Sequence, residues 1–191
     1  MKHIGVVAII AGLLLVSSAQ AFDGDRKGFV LGGGLGFSPV AHWDADVEVF
    51  GLSGSVEEDE VGVALQFVIG GAFNEHAMLV YEGNVTGFTS PLFGDQNVAQ
   101  GFNGASFYYY FGPKGQTFYL GVGLGVYYFK VEDYDQTDPG GAFLISGGYE
   151  FSPHWQVGAT LTVGSTSESD AGAEAEFNHS NLSIMVSGIA F

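Results

Sequence analysis

The chain has 191 residues, 47% of them hydrophobic and only 14% charged, which is too apolar for a disordered tail and long enough for one domain. Its 21 acids against five Lys and Arg give a net charge of −16, so nucleic-acid phosphates would be repelled and a non-specific nucleic-acid binder is excluded. The absence of cysteine removes a disulfide scaffold, a thiolate zinc site and a Cys nucleophile, while 31 glycines and 15% aromatics argue for strands over long helices.

Residues 1–21 read as a cleaved secretory signal peptide. Lys2 and His3 form a short basic start, Ile4 to Val16 an apolar core, and Ala19-Gln20-Ala21 a small-x-small cleavage site. The apolar run is about 13 residues, short of the roughly 20 that a membrane-crossing helix needs. The domain proper is then 22–191, which holds all 21 acids and four Lys or Arg. Nothing in it approaches 18 consecutive apolar residues, so any membrane residence must use strands.

Eight segments alternate with a period of two, the signature of a strand with unlike faces. They are 28–38, 61–69, 77–87, 102–111, 117–129, 141–151, 155–164 and 177–191. In 117–129, Phe118, Leu120, Val122, Leu124, Val126 and Tyr128 oppose Tyr119, Gly121, Gly123, Gly125 and Tyr127. The eighth is ambiguous: Leu182, Ile184 and Val186 favour one outward parity, and Met185, Ile189 and Phe191 the other. Alternation alone fits a soluble sandwich as well as a membrane barrel.

Two features favour the barrel. The connections 39–60, 70–76, 88–101, 112–116, 132–140, 152–154 and 165–176 are long and short by turns, which puts long external loops at one end and tight turns at the other. The outward aromatics Phe29, Phe111, Phe118, Tyr149, Phe151 and Trp155 fall at the short-turn end, and Phe37, Tyr128 and Phe143 near the opposite rim, as two interfacial girdles require. The expected fold is an all-β, eight-stranded antiparallel up-and-down transmembrane barrel.

The opening strand GFVLGGGLGF (28–37), the alternating connections and the terminal Phe191 together resemble the small outer-membrane β-barrel superfamily, the OmpA-like and OmpX-like barrels. That resemblance implies a Gram-negative outer-membrane location in contact with lipid and lipopolysaccharide. It also implies that Phe191 is part of the signal read by the barrel-assembly machinery.

Sixteen acids lie in the four expected external loops, which contain no Lys or Arg. They form a solvated face kept soluble by repulsion. A sharper reading has Glu57, Glu58, Asp59 and Glu60, or Asp133, Asp135 and Asp138, holding Ca²⁺ or Mg²⁺ through oxygen ligands, although their spacing matches no EF-hand. No other cofactor is expected.

An eight-stranded barrel is about wide enough for its own side chains. Gln66, Glu82, Tyr108, Tyr110, Tyr119, Tyr127 and Glu150 face inward by parity, with the tyrosines covering the bare stripes Gly32, Gly34, Gly36 and Gly121, Gly123, Gly125. Glu82 and Glu150 need partners or water, and basic residues are scarce. Lys130 is expected to snorkel at the outer rim.

Three functions follow. The first is a non-enzymatic outer-membrane barrel presenting acidic loops for surface contact, envelope integrity or adhesion, with no readable code for the loop partner. The second is a narrow barrel of the OmpW type that passes or binds a small, even apolar, solute. The third is a lipid A-modifying enzyme, since some barrels resembling this one use a His and a Ser near the last strand. Here His179 and Ser180 are adjacent and must point to opposite faces of a strand, which defeats a Ser-His pair. No catalytic residue is assigned.

Overall fold

The computed structural model describes residues 26–49, 52–132, 134, 136–170 and 173–191. The expected signal peptide 1–21 lies outside the described residues, as do Asp133 and Asp135. Eight strands follow in order: β1 (Gly28–Val49), β2 (Leu52–Asn74), β3 (Ala77–Ser90), β4 (Gln96–Tyr110), β5 (Thr117–Val131), β6 (Asp138–Ser152), β7 (Trp155–Asp170) and β8 (Ala173–Ala190). Each pairs antiparallel with the next, and β1 pairs with β8 from Leu31↔Ala190 to Val49↔Ala173, which closes the barrel. Closure leaves no sheet edge exposed.

The long connections expected from the sequence are mostly strand. Residues 39–49 continue β1 and residues 52–60 belong to β2, with Asp44 paired to Glu57 and Trp43 to Glu58. Residues 165–170 likewise continue β7 and residues 173–176 belong to β8, with Ser167 opposite Glu176. The strands are 14 to 23 residues long, against the roughly 9–11 that cross a bilayer. The excess projects as a tube at the end holding the β1–β2, β3–β4, β5–β6 and β7–β8 connections, called the outer end below.

The reason these stretches do not read as strands is physical. In β1 the pairing shifts between Ser38 and Ala41 against β2, and between Phe37 and Val40 against β8, so a bulge at Ser38–Pro39 resets the phase. Proline, which has no N–H to donate, sits in this bulge. Before it the odd residues Phe29, Leu35 and Phe37 face outward; after it Ala41, Trp43 and Ala45 face inward and are buried.

The two sections of the barrel are opposite in polarity. In the lower section Leu65, Phe118, Leu120, Leu124 and Val186 are exposed on the outside, Leu124 at 70%, while Gln66, Glu82, Glu150, Thr160 and Ser183 are buried inside. In the upper section Trp43, Phe88, Val98, Phe129 and Val131 are buried inside, while Asp46, Glu57 and Asp59 are exposed. The ambiguous parity of β8 comes from apolar side chains on both of its faces: the odd residues face inward throughout, with Met185, Ile189 and Phe191 buried in the lower section, while Ile184 and Val186 face outward there.

Candidate functional site

Charged and polar side chains converge in the interior, which is built in three tiers. The lowest lies at the end with the tight turns, where β1 begins and β8 ends. Arg26, just before β1, is fully buried there and pairs with Glu150, donates to the carbonyl of Glu75, and lies 3.6 Å from the ring centroid of Tyr110. Phe191 is buried beside it, its ring 5.6 Å from the guanidinium carbon and 4.7 Å from the ring of His154. Phe191 therefore faces inward.

Above this plug the Glu82 carboxylate accepts from Gln66 Nε2 and Tyr108 OH, each at 2.7 Å, and Ser187 Oγ donates to Gln66 Oε1 at 2.8 Å. Tyr110 OH donates to Gln156 at 3.0 Å, and Tyr119 packs against both Tyr108 and Tyr110. All seven residues expected inside the barrel lie there, and both carboxylates have protein partners. The partner that sequence reasoning missed is Arg26, which it left in the segment before the first strand. The glycine stripes are covered differently than expected. A Cβ on Gly121 would meet the Tyr108 ring, but one on Gly34 or Gly36 would meet Ser187 and Met185 rather than a tyrosine.

The middle tier is polar and uncharged. Ser38 Oγ lies 2.5 Å from Asn181 Oδ1, Asn181 Nδ2 donates to Thr86 Oγ1 at 2.8 Å, and Thr160 donates to Ser146 at 3.0 Å. Asn84, Gln100, Ser106 and Thr162 carry buried polar atoms with no protein partner.

The upper tier is an aromatic cap. Trp43 lies 5.5 Å from Phe93, 5.6 Å from Phe129 and 6.3 Å from Phe177, measured between ring centroids. Its indole N–H donates to Glu58 Oε2 at 3.0 Å, and Ser90 Oγ donates to the same oxygen at 2.5 Å. The His179 ring stacks 4.8 Å from Tyr127 and 5.1 Å from Phe129, with Nε2 2.9 Å from Thr166 Oγ1 and Nδ1 unpartnered. Trp43 escaped the sequence reading because it follows the bulge at Ser38–Pro39, whereas His179 enters that reading only as the neighbour of Ser180.

The described acids proposed as cation ligands do not converge, and Asp133 and Asp135 lie outside the described residues. Strand alternation turns Glu57 and Asp59 outward and Glu58 and Glu60 inward; Glu58 is engaged by Trp43 and Ser90, and Asp59 by His42 Nδ1 at 2.7 Å. Among the described residues no group of three or more His, Asp or Glu could hold a metal ion. Asp138 is exposed at the start of β6. His42, expected in a loop, is a strand residue between Asp44 and Asp59. His179 faces inward and Ser180 outward. The aromatics Phe29, Phe111, Phe118, Phe151 and Trp155 are exposed on the outer wall, and Tyr149 is half-buried against Phe118.

His179 lies beyond the apolar band, since the outward residues Glu176, Asn178 and Ser180 on the same stretch are all polar. Burial pushes its pKa down from 6.5 to about 4, with Asp44 opposing the shift and His42 adding to it. The folded state therefore favours neutral imidazole. Its contribution is complete above the unfolded pKa of about 6.5 and is lost as pH falls towards 4, by about 3 kcal/mol in all. Urea unfolding from lipid vesicles at pH 7.5, 5.5 and 4.5 should show this loss in the parent and not in His179→Phe. Identical pH slopes in the two proteins would refute it.

No protein-family model matches the chain, and no curated protein matches it in sequence. Among solved structures it is similar to Neisserial surface protein A, with 16% identity and a TM-score of 0.50 over 84% of this chain and 96% of that one. It is also similar to the outer membrane protein OprG from Pseudomonas aeruginosa, with 15% identity and a TM-score of 0.50 over 86% of this chain and 96% of that one. At these identities the likeness is one of fold: the chain has the closed eight-stranded architecture of the small outer-membrane barrels.

Proposed function

We propose that the chain is a non-enzymatic barrel of a Gram-negative outer membrane, spanning with its lower section and holding an acidic tube at the cell surface for contact, envelope integrity or adhesion. The observation that carries this reading is the inversion of polarity along a single closed wall. The outer face is apolar below the boundary and acidic above it, as a wall passing from hydrocarbon into water requires. The exposed aromatics Phe29, Phe118 and Trp155 at the lower rim and Phe37 at the upper one bracket that band. The Arg26 plug and the Trp43 cap close the interior at both ends, which supports an anchor rather than an open pore.

The test is membrane fractionation with heat-modifiable electrophoretic migration, followed by planar-bilayer recording. Outer-membrane recovery, a heat-dependent mobility shift and no steady conductance are expected. A chain that stays monodisperse in surfactant-free buffer would sink the membrane reading, and stable conductance would sink the closed one. The second reading, a conduit for a small solute, draws on the unpartnered Asn84, Gln100, Ser106 and Thr162, whose polar atoms favour a hydrogen-bonding guest over the apolar one first considered.

A further inference from the structure

Just below the polarity boundary the outward wall is recessed across β3 to β6. One row of paired outward positions across β3, β4, β5 and β6 reads Gly83, Asn103, Val126 and Gly141. The next row towards the outer end reads Val85, Gly101 and Tyr128, and the one after it Gly87, Ala99 and Lys130. A Cβ on Gly141 would meet nothing within 4 Å, and one on Gly83 only Asn103 Oδ1 at 3.0 Å. The recess is a groove lined by Asn103, Val126 and Tyr128 and overhung by Gln136 and Pro139 at the β5–β6 hairpin. It does not lead into the lumen, because the inward residues behind it, Phe102 and Tyr127, are fully buried.

The groove changes chemistry along its length. Lys130, exposed and two residues beyond Tyr128 on β5, stands roughly 7 Å above it. Among the described residues Lys130 is the sole Lys or Arg of the acidic outer end, and no carboxylate pairs with it. Below it the Tyr81 hydroxyl donates to Asn103 Oδ1 at 3.3 Å, which places an amide and a phenol on the side of the wall that faces lipid. Below these the β5 wall is apolar through Val126, Leu124 and Val122. Polar groups facing hydrocarbon are costly without a partner.

We propose that this groove binds a phosphorylated glycolipid of the outer leaflet. The phosphate meets Lys130, sugar and amide oxygens meet Asn103, Tyr81 and Gln136, and one acyl chain descends along Val126, Leu124 and Val122. The single cation above, the hydrogen-bonding groups at the rim and the apolar wall beneath repeat the order of groups in such a lipid. The proposal rests on the membrane reading above.

The test uses the full chain refolded in detergent, with insertion scored first by heat-modifiable migration and lipid retention then read by native mass spectrometry. Bis-phosphorylated lipid A is compared with its dephosphorylated form, phosphatidylglycerol and phosphatidylcholine. Retention of one bis-phosphorylated lipid A is expected, weakened about five-fold by Lys130→Gln. Gly141→Leu, which enters open space and leaves insertion intact, should weaken it by roughly ten-fold by filling the groove. Equal retention of any of the other three lipids, or unchanged retention by both variants, overturns the site while the membrane reading stands. Failure to insert overturns both.

Discussion

Replacing Arg26 by alanine is expected to destabilise the barrel by about 3–5 kcal/mol, because it leaves the Glu150 carboxylate buried without its cation. The guanidinium also covers the face of Tyr110 and satisfies the Glu75 carbonyl, so truncation opens the inner mouth between Tyr110 and Phe191. Removing both charges together tells a different story. Arg26→Met with Glu150→Leu trades an ion pair for packing, and its stability should lie close to that of the parent or above it. Urea midpoints in lipid vesicles, followed by tryptophan fluorescence, measure both. A loss under about 1 kcal/mol for the single variant, or equal losses for single and double variants, would show that the pair does not hold the plug.

Trp43→Ala should cost a similar amount, about 3–5 kcal/mol, by opening a cavity among Phe93, Phe129 and Phe177. The effect should be local to the upper tier. That tier is an apolar interior inside a wall wetted on its outside, so it is stabilised by the hydrophobic effect in the ordinary way, unlike the section below it. Trp43→Phe keeps most of the ring contact and removes only the indole N–H that Glu58 accepts, so about 1–3 kcal/mol is expected for it. Hydrogen exchange should show faster opening of residues 41–45 and 56–60 in the alanine variant, with the Glu82 network unchanged. Uniform loss of protection along β1 and β2 would mean that the two sections do not melt separately.

The lower section was legible in the sequence because lipid imposes one rule on it. Where the outside must be apolar and the inside carries many glycines and polar groups, a period of two survives, and Phe118 to Tyr128 shows it without interruption. The upper section was not legible, for two reasons. Water bathes its outer face, so acids such as Asp44, Glu57 and Asp59 accumulate there and resemble a loop, while the bulge at Ser38–Pro39 shifts the phase by one just where Trp43 turns inward. Of the interior groups, Glu82 and Glu150 were found by parity, as were the four tyrosines. Arg26 was not, because a residue ahead of the first strand has no parity to read. Composition points to a cation site at Glu57 to Glu60, and the strand geometry that separates Glu57 from Glu58 is invisible at that level.

The acidic residues of the first hairpin are fixed to a hydrogen-bonded wall, with His42 held against Asp59 and Trp43 against Glu58, instead of hanging on slack chain. A ligand that meets this surface finds its counter-charges already spaced, and little backbone freedom is surrendered when the two come together. Recognition there should tolerate mutation of single acids poorly when spacing matters and well when only the summed field does, so the rigidity of the tube turns a question about charge into one about geometry.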